Sequence, residues 1–494
     1  MKKLHLNALA NLGQTTVSIV LMFVLYKYLI LTIGVKKFGV WSLILSTTTV
    51  VSLGNFGIST SIVKFVAQYY GLNDFKKINA IIATSLQTII TSLAIISVIA
   101  FFAISYYLPS IISEVELLSI AQMLLPYSIF TFFVNCVSGI FQSSLDGIGK
   151  IYIKAFILIF FNVVYFVTSI IAVKYFELIG LAYVQLFQSI LLLMVNYYYL
   201  SKFIVIPFKS LFFFDKASFK EIIGYGVNFQ VMSLTQILTD PVTKSLIAKF
   251  GGIGLSAYYE LASKVVISFR LLILSSNNVI IPEISKLNSQ SNKVALKELI
   301  VDNYKGIIFL CILIFPICFG LSVIVSRVWL EKIDMEFIHC YALVCIGFMI
   351  NTLSLPIYFL SLGTGNLKFN VLSNIVASSI IILLGLILGF LFGGILVIYS
   401  WVIGVVAGLL IICVPHFKQI DLKIMEIFDM PIVIKFLSSI LFAALLFYSS
   451  ILLKNCTVIL NFLILGILIL AYSFLYLKNS IYYYKILTYL KKTV

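Results

Sequence analysis

The sequence has 494 residues, of which 62% are hydrophobic and only 11% are charged, and its mean hydropathy is +1.14. Soluble globular proteins carry roughly 25% charged residues, so this composition indicates an integral membrane protein. Short charged runs separate long apolar stretches, a pattern that excludes a β-barrel, a water-soluble enzyme and a disordered chain. The net charge of +16 reflects topology and contact with membrane lipids, and we expect no nucleic-acid partner.

Fourteen apolar stretches are each long enough to cross the hydrocarbon core of a bilayer as a helix. The first six comprise residues 9–33, 40–62, 79–106, 118–141, 155–173 and 179–200. The next six comprise residues 222–248, 257–280, 306–326, 337–360, 371–392 and 395–414. The last two comprise residues 434–453 and 458–477. The sequence therefore predicts an all-α polytopic membrane protein with about 14 transmembrane helices.

Two short patterns recur at nearly the same spacing. Lys-Phe-Gly follows the first span at 37–39 and the seventh at 249–251, an offset of 212. A Gly-x-Gly pair ends the fourth span at 147–149 and the tenth at 363–365, an offset of 216. Recurrence at the same helix number of a six-helix unit indicates a duplication, and an even number of spans makes the repeat parallel. The alternative is coincidence, since Gly-rich helix ends are common.

The duplication predicts four segments. Residues 1–200 form an N-terminal six-helix bundle, and residues 201–221 form a cytoplasmic linker. Residues 222–415 form a second six-helix bundle, and residues 416–494 add two helices and a basic tail.

The distribution of positive residues predicts the orientation. Loops on the side of the N-terminus contain 23 Lys and Arg residues, and loops on the other side contain 7. Under the positive-inside rule this excess places both termini in the cytoplasm.

Six ionisable residues fall within or at the ends of predicted spans: Lys27, Asp240, Lys244, Glu260, Lys264 and Arg270. Each costs on the order of 2.5–3.5 kcal/mol at mid-bilayer, so each needs a partner, a wet cavity or the interface. Spacing of i,i+4 predicts that Asp240 pairs with Lys244 and that Glu260 pairs with Lys264. These pairs either fix helix ends or belong to a cavity in which four positive charges face two negative ones and bind an anion.

Lys27 and Arg270 have no partner on their own helices. Lys27 either lines the predicted cavity or extends its amine to the outer interface. Arg270 is too deep for that, which makes it the best candidate for contact with a substrate phosphate, with a fixed structural ion pair as the alternative.

Amide side chains occupy similar places in the two predicted halves, with Asn11 and Gln14 in the first helix and Asn228 and Gln230 in the seventh. They are candidates to hydrogen-bond a substrate inside the lumen, although interhelical hydrogen bonds are the commoner role. Pro241 predicts a kink in the seventh helix that would act as a hinge or as a fixed bend.

No recognised catalytic or nucleotide-binding motif occurs in the sequence, and its three histidines are scattered. No predicted connection is long enough for a soluble catalytic domain. We therefore expect no enzymatic activity, no cofactor and no metal site.

Several segments carry a resemblance to a known family. The segments 37–43 (KFGVWSL), 53–58 (LGNFGI), 61–67 (SIVKFVA), 146–150 (DGIGK), 240–244 (DPVTK) and 259–264 (YELASK) resemble bacterial O-antigen and polysaccharide flippases. These flippases belong to the multidrug, oligosaccharidyl-lipid and polysaccharide exporter superfamily. The resemblance covers roughly the first 370 residues, and the last spans match only in hydrophobicity.

The resemblance implies two bundles in a V-shaped arrangement in the bacterial inner membrane. It further implies alternating access that carries a polyprenyl-diphosphate-linked oligosaccharide, such as an O-antigen repeat unit, to the outer leaflet for lipopolysaccharide or other polysaccharide biosynthesis. A polysaccharide polymerase would be the downstream partner.

Three other functions remain open. A cation-coupled multidrug exporter of the same superfamily would share the fold, but we would expect a carboxylate in its first helix, where this chain has Lys27. A flippase for the peptidoglycan lipid precursor would share both the layout and the cationic cavity. A membrane polymerase or ligase would need a large outer loop, which none of the predicted connections provides.

Overall fold

The computed structural model describes residues 2–205, 213–277, 280–290, 292–427, 430–452, 466–468 and 472. All secondary structure within these ranges is helical. The helices up to the predicted linker are α1 (Lys2–Thr48), α2 (Ile58–Gly71), α3 (Phe75–Ile111), α4 (Val115–Gly147) and α5 (Ile151–Ser201), with a 3₁₀ helix at Thr49–Asn55. The next are α6 (Lys216–Asn277), α7 (Ile280–Ser289), α8 (Lys293–Gly320), α9 (Ser322–Leu330) and α10 (Met335–Leu353). The last are α11 (Leu355–Thr364), α12 (Lys368–Phe392), α13 (Gly394–Gln419), α14 (Ile424–Ile427) and α15 (Met430–Leu452).

Eight helical stretches within the described residues are long and apolar enough to cross a membrane. Two of them, Gly13–Asn55 and Ile151–Ser201, have 43 and 51 residues, about twice the ~20 residues that one crossing needs. A residue with non-helical dihedral angles interrupts each, Gly34 in α1 and Glu177 in α5, and Gly252 interrupts α6 in the same way. The predicted fold class is confirmed, and the chain is an all-α multi-pass membrane protein.

Some predicted spans differ from the observed helices. The span predicted at 40–62 is not one helix, because Phe56 and Gly57 have φ angles of 45° and 68° and separate the 3₁₀ helix from α2. The backbone of α6 stays helical through Pro241, and the one residue with non-helical angles in this helix is Gly252. The span predicted at 458–477 lies almost entirely outside the described residues.

The chain divides into two compact units, Met1–Ala257 (unit 1) and Tyr258–Val494 (unit 2). The division falls inside α6, after the seventh predicted span, whereas the boundaries predicted from the sequence lie at 200 and 222. Those predicted boundaries stay a prediction.

Unit 1 is built around α4, which packs against α1, α2, α3 and α5. Its core includes the fully buried side chains of Leu29, Phe38 and Leu43. The ring of Phe38 lies edge-on to that of Tyr26, with centroids 4.9 Å apart. At the next residue, Gly39, a Cβ atom would lie 2.5 Å from the carbonyl oxygen of Ile253, so the backbones approach closely at a position that only glycine fits.

Unit 2 is held together by packing of α13 on α12 and α10, and of α8 on α10 and α15. Ile381, Trp401 and Val405 form one buried cluster between α12 and α13. The buried Tyr341 hydroxyl of α10 donates a hydrogen bond of 3.0 Å to the carbonyl oxygen of Cys318 in α8. Satisfying a buried hydroxyl in this way avoids a desolvation penalty of roughly 1–3 kcal/mol.

Backbone conformation repeats along the chain at the spacing of the predicted duplication. Gly149 and Gly365 have φ angles of 72° and 75° at an offset of 216, which confirms that the two Gly-x-Gly pairs are equivalent. Glu177 and Gly393 also have positive φ angles at an offset of 216. The Lys-Phe-Gly motifs are not equivalent, because one follows the interruption at Gly34 and the other precedes the interruption at Gly252.

Candidate functional site

Both ion pairs predicted from helical spacing form in α6. Lys244 Nζ lies 2.8 Å from Asp240 Oδ2, and Lys264 Nζ lies 3.5 Å from Glu260 Oε1. The inner partners are almost fully buried, with Lys244 and Glu260 each 5% exposed, and each lies eight residues from the interruption at Gly252. Because a buried charge is tolerated only when it is paired, these contacts explain how α6 carries four ionisable groups through an apolar environment.

With these pairs neutralised, the net positive charge of the six predicted residues lies on Lys27 in unit 1 and Arg270 in unit 2. The side chain of Lys27 is exposed on α1. The structure thus separates the two isolated cations from the four paired groups. A shared cationic cavity that contains all six stays a prediction.

Arg270 lies in the longer run of α6 that follows Gly252. Eighteen residues separate the two positions, about 27 Å along a helix at 1.5 Å per residue. The Arg270 Nε atom is buried and has no hydrogen-bond partner among the described residues. Its guanidinium group interacts electrostatically with the Tyr358 hydroxyl and the Cys311 thiol, neither of which is a carboxylate. The described surroundings of Arg270 therefore leave its positive charge uncompensated.

The amide candidates divide according to what the structure describes. The side chains of Asn11, Asn228 and Gln230 lie outside the described part of the chain. Gln14 Nε2 donates to Ser18 Oγ at 3.0 Å, and Asn162 Nδ2 of α5 donates to the same hydroxyl at 2.6 Å. Gln14 therefore takes part in a link between α1 and α5, the interhelical role that the sequence left as the alternative.

Asn162 also lines a cavity of about 430 Å³ inside unit 1. Its wall is made by α1, the 3₁₀ helix, α4 and both arms of α5, and all of the residues that line it are uncharged. They are Leu45, Thr48, Thr49, Ser128, Thr131, Phe132, Asn135, Asn162, Tyr165, Gln185, Gln188, Ser189 and Leu192. The cavity thus combines amides and hydroxyls with two aromatic rings near the middle of long apolar helices.

This unit 1 cavity was not predicted as a site from the sequence. Asn135, Asn162 and Gln185 are recognisable as amides within predicted spans, but nothing in their spacing shows that they share a cavity. Thr131, Gln188 and Tyr165 carry no signal beyond their polarity. Only the packing of α4 and α5 against α1 brings these side chains together.

A charged cluster fixes the start of α6 to α2 and α3. Lys77 Nζ lies 3.3 Å from Asp215 Oδ2 and 3.7 Å from Glu221 Oε2, and the Tyr69 hydroxyl donates to Glu221 Oε1 at 3.3 Å. The Ser218 hydroxyl donates to Asp215, and this hydrogen bond is the main cause that lowers the pKa of Asp215 to about 2. The segment that leads into α6 is therefore anchored within unit 1.

An apolar cavity of about 360 Å³ lies in unit 2 between α8, α10 and α15. Cys311, the thiol beside Arg270, forms part of its wall together with Phe315, Ile346 and Ile440. A cationic group and an apolar cavity thus share a neighbour in unit 2. No group of three or more His, Cys, Asp or Glu side chains that would hold a metal occurs among the described residues.

Comparison with known proteins identifies the fold. Residues 8–171 match the MatE family model. No curated protein matches the sequence at a significant level. Among solved structures, an inward-facing multidrug resistance MATE family transporter of the MOP superfamily is 13% identical, with a TM-score of 0.68 over 84% of this chain and 98% of that chain.

Two further structures have similar coverage. A MOP superfamily transporter from Pyrococcus furiosus is 14% identical, with a TM-score of 0.61 over 84% of this chain and 95% of that one. The lipid II flippase MurJ, in an inward closed conformation, is 16% identical, with a TM-score of 0.59 over 91% of this chain and 99% of its own. The chain therefore has the fold of the MOP superfamily transporters, a fold that multidrug exporters and a lipid flippase share.

Proposed function

We propose that this protein flips a polyprenyl-diphosphate-linked oligosaccharide, such as an O-antigen repeat unit, from the cytoplasmic to the outer leaflet of the bacterial inner membrane. Transport proceeds by alternating access of the two predicted bundles, with both termini in the cytoplasm. A polysaccharide polymerase would take the flipped product.

The observation that carries the proposal is the uncompensated guanidinium of Arg270. A buried cation without a carboxylate partner is expensive, and a diphosphate is the kind of ligand that offsets this cost. The paired groups Asp240–Lys244 and Glu260–Lys264 add no net charge, so the net charge of the six candidates favours an anionic headgroup.

Two features support a substrate that is also lipid and sugar. The apolar cavity beside Cys311 offers a hydrophobic surface next to the neighbourhood of Arg270, as a prenyl chain attached to a diphosphate would require. The uncharged, amide-rich cavity of unit 1 offers hydrogen-bonding groups suited to hydroxyls. The fold likeness to the lipid II flippase MurJ supports a lipid-linked substrate as a class.

The fold is equally compatible with a cation-coupled multidrug exporter and with a flippase for the peptidoglycan lipid precursor. A transport assay in proteoliposomes separates these functions. Purified protein is reconstituted and tested with a fluorescent polyprenyl-diphosphate oligosaccharide, the peptidoglycan precursor lipid, and the cationic dye ethidium under imposed proton and sodium gradients. Vesicles prepared in parallel without protein are the control.

We expect flipping of the polyprenyl-diphosphate oligosaccharide above the protein-free rate and no gradient-driven ethidium transport. Transport of ethidium alone would overturn the proposal in favour of the drug exporter. Flipping of the peptidoglycan precursor alone would establish that precursor as the substrate instead.

A further inference from the structure

We propose that the unit 1 cavity is a binding subsite for an uncharged sugar ring of the substrate. The inference rests on the proposed function, because it assigns the saccharide part of that substrate to unit 1 and its diphosphate to the surroundings of Arg270. It is carried by the geometry of the amides in the cavity wall.

Three of the four amides in the wall are held in place by one hydrogen bond each. Asn162 Nδ2 donates to Ser18 Oγ at 2.6 Å, Gln185 Nε2 donates to the Tyr165 hydroxyl at 3.0 Å, and Gln188 Nε2 donates to the carbonyl oxygen of Phe161 at 2.9 Å. A primary amide has two N–H donors and a carbonyl oxygen with two lone pairs. Each of these amides therefore retains one N–H and its carbonyl oxygen for a ligand, already oriented by the bond that it makes.

This arrangement matches a vicinal diol. A sugar hydroxyl both donates and accepts hydrogen bonds, so two adjacent hydroxyls satisfy the remaining N–H and carbonyl oxygen of one amide. Because the amides are pre-oriented, binding orders few side chains and loses little conformational entropy. A single charged partner would not need three such groups.

The remaining wall has a chemistry that is consistent with a sugar ring. Thr131 is buried, and its hydroxyl oxygen has no hydrogen-bond partner among the described residues. Phe132, Tyr165 and Leu192 supply apolar surface for the C–H face of a pyranose. The volume of about 430 Å³ lies within the roughly 300–1,000 Å³ range of small-ligand pockets.

The uncharged lining also sets the ligand class. A cavity without Lys, Arg, Asp or Glu in its wall has no group to neutralise a phosphate or an organic cation. A neutral, hydroxyl-rich ligand requires no such group. The cavity therefore complements Arg270, which has the charge but few described hydrogen-bond partners.

The test is direct binding of free sugars to the full-length protein in lipid nanodiscs. Saturation-transfer difference NMR is recorded with a panel of methyl glycosides of glucose, galactose, rhamnose and N-acetylglucosamine. The variants are Gln185→Leu, Gln188→Leu and Thr131→Val, and the matched control is Gln68→Leu, which removes an exposed amide from α2. Size-exclusion profiles confirm that each variant is folded, and three variants ensure that a failure of one leaves two.

We expect at least one glycoside to show saturation transfer with the wild-type protein and with Gln68→Leu. Loss of one hydrogen bond of about 1 kcal/mol predicts roughly fivefold weaker binding in each cavity variant. Binding of none of the four glycosides, or equal binding by all variants, would overturn the inference.

The outcomes separate this inference from the proposed function. If the wild-type protein flips the lipid-linked oligosaccharide but binds no glycoside, the sugar subsite is wrong and the function stands. If it binds glycosides through the amides but flips no polyprenyl diphosphate, the function is wrong and the subsite stands.

Discussion

Gly34 and Gly252 have the same unusual backbone conformation, with φ 82° and ψ 162° at Gly34 and φ 80° and ψ 165° at Gly252. This region of dihedral space is essentially restricted to glycine. Each glycine interrupts a helix that is otherwise long enough for two membrane crossings. The two positions lie 218 residues apart, close to the offset of 216 at Gly149 and Gly365. The repeated element is therefore a turn between two helices, set by its backbone angles.

Gly252→Ala is expected to destabilise the protein. No atom lies within 4 Å of the position of a new Cβ, so the cost comes from the positive φ angle alone, about 1–3 kcal/mol. The control is Gly254→Ala, which has equal space and ordinary helical angles and is expected to be neutral or slightly stabilising. The measurement is the midpoint of thermal unfolding in detergent. Equal midpoints for the two variants would contradict the assigned conformation.

Gly39→Ala tests the close approach of α1 and α6 within unit 1. The new methyl group would lie 2.5 Å from the Ile253 carbonyl oxygen and 2.7 Å from the Ile253 Cγ2 atom, so backbone atoms must shift. Overpacking of this kind typically costs about 1–3 kcal/mol. Gly13→Ala, with no atom within 4 Å, is the control for the substitution itself. Thermal unfolding should show a clear loss for the first variant only, and an unchanged midpoint for Gly39→Ala would refute the contact.

The anchor of α6 predicts a dependence of stability on pH. Because the pKa of Asp215 is lowered from 3.8 to about 2, the unfolded chain binds its proton more readily than the folded chain does. Asp215 therefore contributes stability that is fully present above about pH 5 and is lost as the pH falls towards 2. Asp215→Asn should reduce the unfolding midpoint at pH 6 and have a smaller effect at pH 3.

Glu298→Gln, which changes an exposed carboxylate on α8, is the matched control for this titration. Lys77→Met should act in the same direction as Asp215→Asn, because it removes the cation that faces both Asp215 and Glu221. A loss of stability in Asp215→Asn that does not change between pH 6 and pH 3 would contradict the role of the carboxylate charge.

The proposed orientation predicts which loops are reached from outside the cell. In a variant without native cysteines, Lys76→Cys should react with a membrane-impermeant maleimide only after the cells are opened. Ser113→Cys, at the other end of α3, should react in intact cells. Both positions are exposed, so burial does not account for a difference. The reverse pattern of labelling would place both termini outside.

Local spacing predicted the parts of the site that depend on one helix. The i,i+4 rule identified both ion pairs of α6, because neighbours on a helix face are fixed by helix geometry alone. It also left Arg270 without an in-helix partner, and the structure describes no acceptor for its Nε atom. Hydropathy predicted the all-α membrane fold for the same reason, since spanning length is a local property.

Features set by backbone angles and tertiary packing were not predicted. The Lys-Phe-Gly motifs suggested an offset of 212, but the true equivalence is between Gly34 and Gly252, where residue context differs and only the dihedral angles agree. Glu177 occupies the place of Gly393, so identity alone would not pair them. The unit 1 cavity depends on side chains from four helical segments, a combination that no single window of sequence contains.

The most direct test of the central claim is the flipping rate of Arg270→Gln in proteoliposomes. Arg327→Gln, which removes the other arginine of the chain, is the matched control, and Arg270→Lys tests whether a positive charge is sufficient. If the guanidinium binds the diphosphate, loss of a charge-assisted hydrogen bond of about 1.5–3 kcal/mol predicts a rate at least tenfold lower in Arg270→Gln. Arg270→Lys should retain part of the activity, and Arg327→Gln should match the wild-type protein. A full flipping rate in folded Arg270→Gln would contradict the proposed role of this residue.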